Sequence, residues 1–205
     1  MRTSAPSGPL GGGLAMQDPI IEPWTRETPI TGETGRTLRE LNLGFLDLDG
    51  VADPEILALP PARKAAIADC PYALFDLHFE DDAYWRTRLD TALPDRVAES
   101  GASNPAVVTF VRLALIYAWH LATSANLQAR VALGMGPRTA AAFADATFVR
   151  LTRIADAEAP DLAPRWPRCT AFWAGLAEAA ESADRTRLRR IQLYGLQLAV
   201  ATRLR

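Results

Sequence analysis

Arg130 to Phe143 reads RVALGMGPRTAAAF, and three folds compete for it: a glycine loop cradling phosphate, the turn of a helix-turn-helix, and a plain corner between packed helices. The phosphate loop fails on composition. Gly134 and Gly136 are followed by Thr139 where the dinucleotide fingerprint needs a third glycine, no Gly-Lys-Ser/Thr follows, and no apolar strand precedes. A helix-turn-helix is better matched, with Ala132 and Gly136 four apart and a short helix on either side. Its second helix, TAAAFADA, would offer only Arg138, Thr139 and Asp145 to base edges, however, whereas a reading helix projects Arg, Asn, Gln or Ser. The corner accounts for every residue. Gly134 can take φ > 0 to end one helix, and Gly136-Pro137 opens the next.

Working outward, the flanking segments are helical. Asn104 and Pro105 supply an N-cap and a first-turn proline, and from Ala106 to Ala122 only Thr109, Arg112 and His120 interrupt an apolar run. About 17 residues at 1.5 Å rise fall short of a hydrocarbon core of roughly 30 Å, so the run reads as a helix buried on most sides. His120, beside Trp119, is expected to be a hydrogen-bonded core histidine. Further helices are expected at Ala125–Leu133, Pro137–Ala144, Phe148–Glu158, Cys169–Ala180 and Asp184–Leu204. In the first half, Thr37 and Glu40 form a capping box ahead of Leu38, Leu41, Phe45 and Leu48. A proline-led helix spans Pro60–Asp69, and CPYALFDLHF alternates as a short extended stretch. Glu80, Asp81 and Asp82 stand where acidic groups complement a helix N-terminus; the alternative, a metal site, lacks a second ligand cluster. Residues 1–36, with five prolines and Gly11-Gly12-Gly13, have too little apolar surface to offset ordering and read as a flexible arm.

The two halves echo one another. Leu59–Phe79 matches Ala146–Trp166, with Arg63 over Arg150, Ile67-Ala68-Asp69 over Ile154-Ala155-Asp156 and Phe79 over Trp166; one residue later in register, Tyr84-Trp85 falls over Phe172-Trp173. Upstream, LRELNLGFLDL echoes VRLALIYAWHL, and the first copy lacks the piece around Ala129–Thr139. Either this is chance likeness between alanine-rich amphipathic segments, or one polypeptide performs as a symmetric pair does. The fold expected is therefore all-α, a multi-helix orthogonal bundle with an internal pseudo-twofold duplication and at most one short extended segment. A first unit would span 37–100, with a second, 104–205, packed on it.

Leu115–Pro160 resembles the core of the FlhD family, the dimeric subunit of the bacterial flagellar master transcriptional activator. The likeness lies in a long apolar helix containing Tyr117, a short helix ending in Leu133-Gly134-Met135, an alanine- and threonine-rich helix, and Phe148-Val149-Arg150-Leu151 opening another. The first half resembles the family at Leu41–Leu46 and at Leu77-His78-Phe79. The resemblance covers about half the chain and carries no catalytic signature. It implies a helical, dimeric, non-enzymatic regulator acting with a zinc-containing partner subunit that supplies much of the DNA contact. The chain departs from that pattern in being about twice as long and in its proline-rich arm, and Cys70 lies near, not at, the position where family members can carry an intersubunit disulfide.

Charge is uneven along the chain. Residues 1–100 hold 17 Asp/Glu and 9 Lys/Arg, a net of −8, and residues 101–205 hold 7 and 13, a net of +6. A split of this kind means either that the basic half meets nucleic acid or that the halves attract each other. The arginines singled out for DNA contact are Arg138, Arg150, Arg153, Arg187 and Arg190. For the last helix the alternative is a core helix with arginines snorkelling at its ends. His78, His120, Cys70 and Cys169 lack the close spacing of a structural zinc site, and no nucleophile, base and orienting group fall together, so no metal, cofactor or catalytic residue is expected. The two cysteines and the lack of a secretory signal point to a reducing cytoplasm. The expected partners are a protein subunit and DNA but no membrane, with the chain a monomeric pseudo-dimer or a homodimer. Two other readings stand beside this one: an interaction scaffold without DNA binding, and a ligand-binding domain around Trp119, Phe143 and Trp173.

Overall fold

The computed structural model describes residues 32–90 and 104–201. Its elements run α1 (Gly32–Leu46), α2 (Pro54–Leu57), α3 (Pro61–Ala68), β1 (Phe75–Asp76), α4 (Asp82–Asp90), α5 (Pro105–Ser124), α6 (Asn126–Leu133), α7 (Pro137–Asp145), α8 (Phe148–Glu158), a 3-10 turn (Ala159–Asp161), β2 (Ala163–Pro164), α9 (Thr170–Glu181) and α10 (Arg185–Ala201). The all-α class expected from the sequence is the one observed. α8 matches its expected span residue for residue, and the Asn104 carboxamide oxygen accepts the Ala106 N–H at 3.0 Å, capping α5 as its sequence position suggests.

Several expectations are corrected. α1 begins at Gly32, so Thr37 lies inside the helix and its hydroxyl donates to the Glu33 carbonyl at 3.1 Å instead of capping a terminus. Residues 32–36, assigned to the arm, are helical; residues 1–31 lie outside the described residues. His120 is exposed. Thr109, Arg112, Leu113, His120 and Thr123 fall on one arc of α5 that faces solvent, so the polar residues breaking the apolar run mark its wet side. α2 and β2 add a turn of helix and a second extended segment. Neither shows a period in sequence, because α2 is one turn long and β2 sits in a proline-rich passage.

The halves share one plan around a two-stranded antiparallel ladder, in which Phe75 opposes Pro164 and Asp76 opposes Ala163. A dyad through its centre carries Phe75 onto Ala163 and Asp76 onto Pro164, each 88 residues further on. Local geometry repeats at the same separation. The Trp85 indole donates to the Leu77 carbonyl at 2.9 Å and the Trp173 indole to the Arg165 carbonyl at 3.0 Å. His78 and Trp166 both adopt the left-handed backbone, with φ of 56° and 53°. The Asp81 and Cys169 amides close matching turns onto the carbonyls of His78 and Trp166, and α4 and α9 begin at equivalent residues.

Upstream, the separation drops to 87 at Ile67-Ala68 and Ile154-Ala155, both buried pairs; the second half takes up the extra residue in its 3-10 turn. α1 and α5 run antiparallel: the Tyr117 hydroxyl donates to the Thr34 carbonyl at 3.1 Å, while Phe45 meets Phe110 near the other end. α1 packs on α3 as α5 packs on α8. The halves also interlock, with α4 of the first against α7 of the second and α3 against α9.

Candidate functional site

The Leu133–Thr139 corner is built by groups from both halves. Gly134 ends α6 with φ 78°, and Pro137 opens α7 without a side-chain cap of its own from Gly136. The cap comes from α4. The Asp82 carboxylate accepts the Thr139 N–H at 2.9 Å and the Thr139 hydroxyl at 2.7 Å, satisfying an orphan donor of a foreign helix and complementing its dipole. A Cβ on Gly136 would overlap that carboxylate, and one on Gly134 would overlap the buried Arg165 guanidinium. Arg165 donates to the Ala132 carbonyl at 2.8 Å and lies 4.8 Å from the centre of the Trp166 ring. The two glycines therefore serve close packing, which explains their spacing without phosphate or DNA. Asp81 caps its own helix by accepting from Ala83 and Tyr84 at 3.0 and 2.9 Å. Asp81 and Asp82 thus work at helix N-termini, and no cluster of potential metal ligands occurs among the described residues.

A second polar cluster crosses the halves. The Tyr84 hydroxyl donates to Glu158 and lies 2.8 Å from Asp161; the Arg88 guanidinium lies 3.2 Å from Glu158 and 3.8 Å from Asp161, and the His78 ring is 4.8 Å from that of Tyr84. Burial pushes the Glu158 carboxyl above the ordinary carboxylate range, with Tyr84 and Arg88 pulling against it. Burial, reinforced by the two carboxylates, raises the Tyr84 phenol as well. No sequence signal marks this cluster, because Tyr84 and Glu158 are 74 residues apart.

The five arginines chosen from sequence fall into two groups. Arg150 and Arg153 line an open cleft of about 660 Å³ with Leu89, Asp90, Asp145 and Val149, and an Arg150 guanidinium N–H donates to the Arg88 carbonyl at 3.3 Å. Arg138 is exposed at the start of α7. Arg187 and Arg190 lie on α10, which packs on α9. Arg187 is held there by both oxygens of Glu178, each at 2.6 Å, while Arg190 is exposed.

The remaining candidates are packed. The Cys70 thiol is buried, donates to the Ile67 carbonyl at 2.9 Å, and is pushed up by burial to about 12, an unreactive thiol at neutral pH. Cys169 is half-buried, 3.8 Å from the Tyr194 hydroxyl. Trp119, Phe143 and Trp173 belong to separate aromatic packings: Trp119 with Phe148, Phe143 with Phe79 and Trp85, and Trp173 with Phe45 and Phe172. α5 is the one helix among the described residues that is long and apolar enough to cross a bilayer, and half of that apolar window is buried against the rest of the chain. Compared with protein-family models, with curated proteins and with solved structures, the chain matches none.

Proposed function

We propose that this chain is a non-enzymatic transcriptional regulator of the FlhD kind, a single-chain pseudo-dimer that assembles with a protein partner subunit and touches the DNA backbone. The observation that carries the reading is the corner of strand, left-handed turn and helix that repeats at 88 residues and pairs with its own copy. A symmetric regulator made of two subunits would supply that arrangement by dimerisation; here one polypeptide supplies it. Exposed Arg138 and Arg153 furnish the phosphate contacts, with Arg150 contributing from the cleft wall; Arg190 stands apart on α10, and Arg187 contributes least, because Glu178 already holds it.

The test is titration of labelled duplex DNA with the purified chain, alone and with a candidate partner subunit. Binding at low salt should weaken with added salt by about 0.9 log units per decade for each phosphate contacted. Reversing Arg138 and Arg153 to Glu should flatten that slope. No DNA binding at low salt, alone or with the partner, overturns the transcriptional reading.

One observation favours a second reading, an interaction scaffold without DNA binding. Arg88, Arg112 and Arg187 are each already engaged by a carboxylate of the same chain, which leaves fewer guanidinium groups for phosphate. A stable protein partner recovered free of nucleic acid would support it.

A further inference from the structure

α10 carries a face that the other described residues leave uncovered. Arg189, Arg190, Leu193, Tyr194, Gln197 and Val200 recur at helical spacing and are all exposed, with 52% of Leu193, 42% of Tyr194 and 52% of Val200 accessible. The opposite face is anchored. Leu188, Gln192, Gly195 and Ala199 are buried. The Tyr72 hydroxyl donates to the Gln192 carbonyl at 2.9 Å, and the Gln192 carboxamide donates to the carbonyls of Ala66 and Asp69 at 3.1 and 3.2 Å. Gly195 makes room for Tyr72 and Phe172, since any Cβ there would overlap both rings. The helix is thus held by its inner face while Leu193 and Val200, seven residues apart, stand exposed in line, with Tyr194 exposed on the flank beside them.

Charge selects the occupant. From Arg185 to Ala201 the helix contains four arginines and no carboxylate. Arg189 and Arg190, at the N-terminal end of this face, make no ion pair among the described residues, whereas Arg187, one heptad before Tyr194, is paired with Glu178. A second copy docking through the same face would bring arginines and apolar groups with no acid to answer them. An amphipathic helix bearing carboxylates beside an apolar stripe answers both parts of the surface. We propose that the outer face of α10 is the docking surface for an acidic amphipathic helix of a partner protein, seated on Leu193, Tyr194 and Val200 and clamped by Arg189 and Arg190. The inference rests on the reading that the chain works by protein assembly, and it gives that assembly a place and a partner chemistry.

The experiment selects helical peptides from a random library displayed on phage against the full chain. Selected sequences are then measured as labelled synthetic peptides by fluorescence anisotropy. The expected peptides carry net negative charge with apolar residues at i, i+3 or i+4, and lose at least about tenfold in affinity against Leu193→Glu, the size of effect expected from a hot-spot residue. Because Leu193 is exposed, this variant keeps the wild-type thermal transition, which circular dichroism checks. Arg189→Glu with Arg190→Glu should turn the preference toward basic peptides. The proposal is overturned if no acidic amphipathic peptide is enriched, or if those enriched bind Leu193→Glu unchanged. It is also overturned if light scattering shows a dimer of the wild-type chain that Leu193→Glu dissolves, which assigns the face to a second copy. Duplex DNA binding that is lost in the double arginine variant and unaffected by Leu193→Glu, without peptide enrichment, assigns the arginines to nucleic acid and overturns the docking surface while sparing the regulatory reading. DNA binding that fails while peptide binding holds does the reverse.

Discussion

The corner from Phe75 to Asp90 and the corner from Ala163 to Glu181 share a backbone and differ in nearly every side chain. Both place a bulky residue in the left-handed region, His78 in one and Trp166 in the other, and both tie the turn with an indole hydrogen bond to the residue before it. The first starts its helix from Asp81, whose carboxylate accepts two backbone N–H groups; the second starts from Cys169, which makes no such bond. The first also spends Asp82 on a neighbouring helix. What persists between the copies is therefore a hydrogen-bond scheme that fixes the chain path, while capping and charge have been reassigned to local needs.

The largest effects should come from the shared element. Trp85→Ala and Trp173→Ala each remove a buried ring and leave a carbonyl without its donor, and each should cost about 3–5 kcal/mol in chemical denaturation. Trp85, fully enclosed, should cost the more. A large loss at one and a negligible loss at the other would break the equivalence of the corners.

Glu158 sharpens the comparison by testing the seam that joins the halves. Its folded-state carboxyl lies above the unfolded value, chiefly through burial. The native state therefore holds a proton that the unfolded state has released, and on Glu158's account stability falls as pH rises from the unfolded carboxylate range through the folded one. Subtracting the pH profile of Glu158→Gln from that of the wild type in urea unfolding should isolate this falling limb. A difference that rises with pH through the same window would contradict the burial of Glu158 in this cluster.

The left-handed residues should separate the corners. His78→Gly relieves a positive φ at an exposed side chain and should stabilise by about 1 kcal/mol. Trp166→Gly relieves the same strain but loses ring packing against Tyr72, Phe172 and Arg165, so it should be net destabilising in thermal melts. The smallest effect belongs to the caps: Asp81→Ala should cost about 1 kcal/mol, and Cys169→Asp, which copies the first corner's cap into the second, should gain no more than about that.

Much of this plan was legible in sequence where one residue forces one geometry. Asn104-Pro105 sets the start of α5, and Gly134 with Gly136-Pro137 sets the corner between α6 and α7. The shift of one residue was legible but misplaced: the echo sets Phe79 over Trp166, whereas His78 is the structural equivalent of Trp166, because the extra residue enters upstream, in the 3-10 turn after α8. What was not legible depends on partners far along the chain. Asp82 reads as a cap for its own helix and serves α7; the Tyr84–Glu158 seam has no local mark; and α1 extends through a Gly32-containing turn toward Tyr117, whose hydroxyl meets the Thr34 carbonyl. The arginines on α8 and α10 looked like one basic set because sequence carries no faces, and folding distributes them over helices with different neighbours.

The equivalence of the halves rests on the register of one short ladder, and nuclear Overhauser contacts between its backbone protons report that register directly. The account predicts cross-strand contacts from Phe75 to Pro164 and from Asp76 to Ala163, the pairing that preserves a separation of 88 residues. A ladder slipped by one residue, or strands that do not meet, would contradict it.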